Sequence, residues 1–147
     1  MDEDVITHSA EETVAWGRAF AKSLQAPVLV LLTGELGSGK TTLTKGIVAG
    51  LNAAEEDEVT SPTFTLLHEY EGVREGVPVK LYHLDVYRLE GERQLETLGL
   101  DDLLTEDALV LVEWGEKFKS LKKRATGEIA IEAKGGDARK IVVTLKD

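Results

Sequence analysis

The segment Gly34-Glu35-Leu36-Gly37-Ser38-Gly39-Lys40-Thr41 satisfies the pattern G-x-x-x-x-G-K-[ST], follows the apolar run Val28 to Leu32, and precedes a stretch of helical character. Residues of these types at this spacing bind polyphosphate. Gly34, Gly37 and Gly39 allow backbone angles closed to side-chained residues, so successive N–H groups can turn toward one anion. A helix beginning near Lys40 points its positive end at the same anion. Lys40 reaches the outer phosphates as a mobile point charge, and the Thr41 hydroxyl is placed to ligate the accompanying Mg²⁺. By chance the pattern arises in roughly one chain of this length in two hundred. A glycine turn before an ordinary helix is therefore the weaker reading.

Such a loop needs a carboxylate near the ion, normally at the carboxyl end of a neighbouring strand. Two acids fit: Glu113 follows Ala-Leu-Val-Leu-Val, and Asp85 follows Val-Lys-Leu-Tyr-His-Leu. A helix cap or a surface ion pair is the weaker reading of each. In Ser61-Pro62-Thr63-Phe64-Thr65, Pro62 restricts the chain and Thr63 offers a hydroxyl, so the segment suits either a switch that orders over a γ-phosphate or the plain start of a strand. His68 and His83 lie in strand patterns without metal-ligand partners and read as packing or edge residues. Trp114, beside Glu113, suits a core position, a base-stacking surface or a partner contact. The chain has no Asn-Lys-x-Asp segment for guanine, which favours ATP over GTP. No Gln stands beside the switch-like segment and six Arg are scattered, so slow intrinsic hydrolysis is expected.

These residues need elements to hold them. The 147 residues suit a single domain, 1–147, able to bury roughly two thirds of its unfolded surface. Hydrophobic content is 42%, no apolar run approaches membrane-spanning length, and Met1-Asp2-Glu3-Asp4 is no cleavable leader, so a cytoplasmic protein with no membrane contact is expected. Absence of Cys removes thiolate catalysis and Cys-ligated zinc. A net charge of −10 repels nucleic acid over most of the surface. Lys117, Lys119, Lys122, Lys123 and Arg124 form one basic cluster, either a solvated helix face or a docking surface.

Ser9 and Glu12 make a capping box for a helix from about Ala10 to Gln25. Val28 to Thr33 reads as a strand buried on both faces, and a helix from Lys40 to about Leu51 follows the loop. Phe64 to Tyr70 and Val79 to Asp85 read as a hairpin turning around Glu71-Gly72 and Gly76-Val77-Pro78. Short helical turns are expected at Glu92 to Leu98 and Asp101 to Leu104, and another buried strand at Ala108 to Val112. A second hairpin joins Gly127 to Ala133 with Lys140 to Leu145 across Gly135-Gly136-Asp137. The expected architecture is α/β: a P-loop NTPase-like three-layer fold with a mainly parallel central sheet plus antiparallel hairpin strands.

Four segments in this order, G-E-L-G-S-G-K-T-T at Gly34 to Thr42, S-P-T-F-T at Ser61 to Thr65, H-L-D-V-Y-R-L at His83 to Leu89, and E-W at Glu113-Trp114, resemble the TsaE family, also called YjeE, from about Val5 to Leu145. The resemblance implies a bacterial ATPase required for threonylcarbamoyl modification of the adenosine beside the anticodon in tRNAs reading codons that begin with A. Such proteins do not perform the transfer; they act on a TsaB and TsaD pair, meet tRNA only through that complex, and reset it by hydrolysing ATP. Position by position, it implies phosphate contacts from Gly37, Ser38, Gly39, Lys40, Thr41 and Thr42, Mg²⁺ ligation by Thr41 and Glu113, and catalytic roles for Asp85, Glu113 and Lys40. Thr63 matches its switch-like segment and Trp114 a neighbouring functional position, while Gly115 stands where many relatives carry Pro. Ser9 or its neighbours are plausible adenine contacts on the same ground.

Two other classes use the same loop. A small-molecule or nucleoside kinase would transfer the γ-phosphoryl group and normally brings an Arg-rich lid. A nucleotide-dependent scaffold would bind ATP without useful hydrolysis.

Overall fold

The structure, a computed structural model, describes residues 2–35, 37–52, 67–105 and 107–146. Among these, seven strands form one sheet in the order β1-β7-β6-β2-β5-β4-β3. The strands are β1 Asp2–Thr7, β2 Val28–Thr33, β3 Leu67–Arg74, β4 Val77–Asp85, β5 Ala108–Glu113, β6 Gly127–Ala133 and β7 Arg139–Leu145. β6, β2, β5 and β4 run parallel, and β1, β7 and β3 are antiparallel to their neighbours.

The centre follows from composition. β2 (VLVLLT) and β5 (ALVLVE) carry apolar side chains at consecutive positions and so must be covered on both faces, as parallel strands are. Alternation then sorts them. Val28, Val30, Leu32, Leu109 and Leu111 pack on one face with Phe20, Leu43 and Ile47, whereas Leu29, Leu31, Val110 and Val112 pack on the other with Leu95, Leu100 and Leu121. Helices α1 (Ala10–Phe20) and α2 (Lys40–Gly50) cover the first face; α3 (Glu92–Glu96), α4 (Leu100–Leu103) and α5 (Lys119–Arg124) cover the second. The result is three layers.

α1 and α2 touch backbone to backbone. A Cβ on Gly46 would stand 2.2 Å from the Val14 carbonyl oxygen, and one on Gly17 would stand 2.8 Å from that of Leu43. Ser9 caps α1 by accepting from the Glu12 N–H at 3.0 Å, but the return bond of the capping box shifts one residue, because Glu12 Oε1 accepts from the His8 N–H. Buried hydroxyls of Thr7 and Thr13, 2.6 Å apart, tie β1 to the same helix. Among the described residues no helix is long and apolar enough to cross a membrane.

Three expectations about elements need correction. The first helix stops at Phe20 and tightens into a 3₁₀ turn, Ala21–Ser23, which still delivers Leu24 to the core. In the first hairpin both strands run on through Gly72 and Val77-Pro78, and the reversal falls at Glu75-Gly76, whose positive φ values of 51° and 81° suit a two-residue loop. Pro78 fits because β4 there extends past the end of β5, whose pairing starts at Lys80. Residues 64–66 of the expected strand lie outside the described residues. Lastly, β1 was not anticipated: Asp2-Glu3-Asp4 breaks any apolar alternation, as suits a charged edge strand with a single neighbour.

Candidate functional site: a phosphate loop facing two strand-end carboxylates

The alternation that buries the sheet also builds the site. β4 and β5 are parallel, with His83 opposite Leu111 and Asp85 opposite Glu113, and β2 lies on the other side of β5 with Leu32 opposite Glu113. Positions two apart share a face, so His83, Asp85 and Glu113 continue the row of Leu81, Leu109 and Leu111 on the α1/α2 side. At the carboxyl end of the sheet that row stops being apolar. Asp85 and Glu113 are each 3% exposed, and His83 is fully buried.

The loop 34–39 crosses from β2 to α2 beside these acids. At Gly34, φ is 149° and a Cβ would stand 2.4 Å from the Ile131 carbonyl oxygen, so only glycine fits. Gly39, at φ 110°, is the left-handed N-cap that starts α2. Lys40, the first residue of the helix, folds back into the loop: its Nζ donates to the Gly34 carbonyl at 2.8 Å, lies 3.9 Å from Glu113 Oε1, and sits 4.1 Å above the centroid of the Trp114 ring. Burial pulls the Lys40 pKa below the ordinary lysine value, opposed by the negative charges of Glu113, Glu116 and Asp85.

The acids are held by local bonds. Asp85 Oδ1 accepts from the Tyr87 N–H at 2.9 Å, and Glu113 Oε2 accepts from His83 Nε2 at 2.5 Å. After Glu113 the chain leaves the sheet through Trp114 in a left-handed conformation (φ 66°), which turns the indole over Lys40 and against the Tyr87 ring at 4.9 Å. The next residue is packed closely by the side chains below it. A Cβ on Gly115 would meet Leu31 Cδ2 at 2.6 Å.

The expected residues thus converge. Gly37, Gly39, Lys40, Thr41 and Thr42 from the loop and α2, with Asp85, Glu113 and Trp114 from the strand ends, line one cleft of about 610 Å³. Ser38 is buried on the far side of the loop, facing Ile131 and Ala133, with its hydroxyl unpartnered. Thr63 and its switch-like segment lie outside the described residues. Ser9 is the N-cap of α1 and does not line the cleft, whereas its neighbours Ala10 and Thr13 line a small adjoining hollow with Gly39, Thr42 and Arg139.

Three residues escaped sequence reasoning. Tyr87 lines the mouth of the cleft. Arg139, at the start of β7, brings its Nε to 3.2 Å from where a Gly39 Cβ would be, and its Nη1 donates to the carbonyls of Gly136 and Ala138. His83 is packed in the interior as one half of its reading expected, and it is also the partner of Glu113, a contact that the parallel register of β4 and β5 could have revealed. His68 does lie on the edge strand, near the Tyr70 hydroxyl. The basic cluster is solvated, as one of its two readings expected: Lys117, Lys119, Lys122, Lys123 and Arg124 are all exposed, with Lys117 Nζ donating to the Tyr87 and Leu89 carbonyls and Arg124 paired with Asp101 at 2.6 Å.

A centrally parallel sheet with a glycine-rich loop opening the helix after its middle strand defines a P-loop NTPase-like protein. The family model described as "Threonylcarbamoyl adenosine biosynthesis protein TsaE" matches residues 7–141, and the chain belongs to this TsaE family. Relatives bearing the name tRNA threonylcarbamoyladenosine biosynthesis protein TsaE include one from Treponema pallidum, 35% identical with 94% of this chain and 97% of the relative covered. Another, from Bacillus subtilis, is 39% identical over 94% of this chain and 82% of the relative. A third, from Streptomyces coelicolor, is 43% identical over 80% and 83%. The crystal structure of YdiB from Bacillus subtilis superposes with a TM-score of 0.70 at 31% identity, covering 100% of this chain and 87% of that one.

Proposed function

We propose that this chain binds and hydrolyses ATP in the cleft above loop 34–39, and that hydrolysis serves threonylcarbamoyl modification of tRNA by resetting a TsaB/TsaD partner pair. The observation that carries the proposal is the meeting of Lys40 and Thr41 with Asp85 and Glu113 at one end of the sheet. Support for the pathway comes from the names of the relatives.

The residues fit the ligand. The loop presents backbone N–H groups and the positive end of an eleven-residue helix, and Lys40 adds a point charge held on a carbonyl that it can exchange for phosphate oxygen. Thr41 and Glu113 would hold Mg²⁺, with Gly37, Gly39 and Thr42 as further phosphate contacts, whereas Ser38, buried behind the loop with its N–H on the Glu35 carbonyl, does not reach the cleft. The ion, when bound, neutralises charge on the β- and γ-phosphates. Asp85, whose Oδ1 accepts from the Tyr87 N–H, lines the cleft opposite Glu113 and would hold the attacking water. Arg139 adds positive charge where the phosphates would lie, and Trp114 with Tyr87 shields the mouth. The net charge of −10 favours contact with tRNA only through the partner complex, in the cytoplasm.

The test is ATP turnover by the purified chain with and without a TsaB and TsaD pair. Binding by the pair and a changed rate are expected. A pair that neither binds nor alters turnover refutes the coupling.

A further inference from the structure

Glu113 has two carboxylate oxygens and the structure treats them differently. Oε2 meets His83 Nε2 at 2.5 Å in the sheet interior, while Oε1 lies 3.9 Å from Lys40 Nζ. His83 is fully buried, and among the described residues its Nδ1 has no hydrogen-bond partner, so the polar contact the ring makes there is the one to Glu113. A glutamate has three rotatable bonds, and one strong bond to a buried ring carried on β4, itself paired on both sides by β3 and β5, removes most of that freedom.

We infer that His83 is the positioning residue of Glu113. By donating from Nε2 to Oε2 it turns Oε1 toward the cleft and holds the ion pair with Lys40 at its long 3.9 Å separation. Without it, Glu113 would swing into a closer ion pair with Lys40, and both would be withdrawn from the nucleotide. The pairing has the logic of outer hydrogen bonds that orient metal ligands, whose loss typically weakens metal affinity or activity about 10–100-fold. The inference deepens the reading of Glu113 as the Mg²⁺-side carboxylate and rests on it.

The experiment compares wild type, His83→Leu and His83→Gln. Gln places an N–H close to the position of histidine Nε2, whereas Leu fills the space without a donor. For His83→Leu the Mg²⁺ concentration giving half-maximal binding of a non-hydrolysable ATP analogue should rise about 10–100-fold and kcat should fall by a similar factor. Analogue affinity without Mg²⁺ should stay within about twofold, and His83→Gln should recover most of both losses. A merely structural histidine would instead lower the melting temperature and weaken Mg²⁺-free and Mg²⁺-dependent binding alike. Equal Mg²⁺ dependence in wild type and His83→Leu, or a Gln variant as impaired as Leu, overturns the inference. If wild type binds no nucleotide, the ATP reading fails by itself. The pairing is then decided by nitrogen-15 NMR: a slowly exchanging hydrogen on His83 Nε2 that is lost in Glu113→Ala supports it, and its absence in wild type overturns it.

Discussion

Replacing Lys40 with Ala should separate affinity for ATP from stability of the fold. Lys40 is only 6% exposed, and its ammonium is held by Gly34, Glu113 and the Trp114 ring. Burial is the largest influence on its pKa and acts against the charge, so these contacts offset desolvation and leave little surplus. Glu113 retains its bond to His83 when the lysine is gone, and is not left as an orphaned charge. Stability without ligand should therefore change by no more than about 1 kcal/mol, roughly 2–4 °C in melting temperature for a chain of this size. Binding should change far more. A charge-assisted hydrogen bond contributes about 1.5–3 kcal/mol. Its loss weakens ATP binding about 10- to 150-fold. At an ATP concentration one hundred times the wild-type Kd, wild type gains about 2.7 kcal/mol and the variant about 0.3–1.4 kcal/mol. Thermal melts with and without ATP read both quantities. A variant that keeps the full ATP-dependent shift, or that melts many degrees lower without ligand, refutes this account of Lys40.

Gly46→Ala should destabilise by about 1–3 kcal/mol or more, seen as a lower urea midpoint, because the new Cβ would lie 2.2 Å from the Val14 carbonyl oxygen. ATP affinity should decline as pH rises through a range below the ordinary lysine value of 10.5, since Lys40 gives up its proton early; Lys40→Arg should abolish that decline, as calorimetric titrations across alkaline pH can check. Arg139→Ala should raise the Kd for ATP roughly tenfold with an unchanged melting temperature, because its own hydrogen bonds serve only the hairpin turn it belongs to.

What was legible in the sequence was whatever is decided locally or by burial on two sides. Val28–Thr33 appears as expected and β5 with one more residue, because a strand covered on both faces has a continuous apolar stretch with sharp ends. The phosphate loop was legible because backbone geometry alone demands its glycines. Asp85 and Glu113 were found as strand-end acids without knowing that they stand opposite one another. The role of His83 was not legible, because it arises from a register between strands thirty residues apart in the chain. Arg139 reaches the loop through β7 and β6, a placement that no local pattern encodes. The first hairpin misled for a different reason: Gly72 and Pro78 are turn residues by type, but a strand edge with one neighbour tolerates both.

The most direct test of the central claim is a crystal structure of the chain with Mg²⁺ and a non-hydrolysable ATP analogue. The account expects the triphosphate over loop 34–39, Lys40 Nζ moved from the Gly34 carbonyl onto phosphate oxygen, and the ion between Thr41 and Glu113. An analogue bound elsewhere, or a Lys40 still bonded to Gly34 beneath a bound triphosphate, would contradict it.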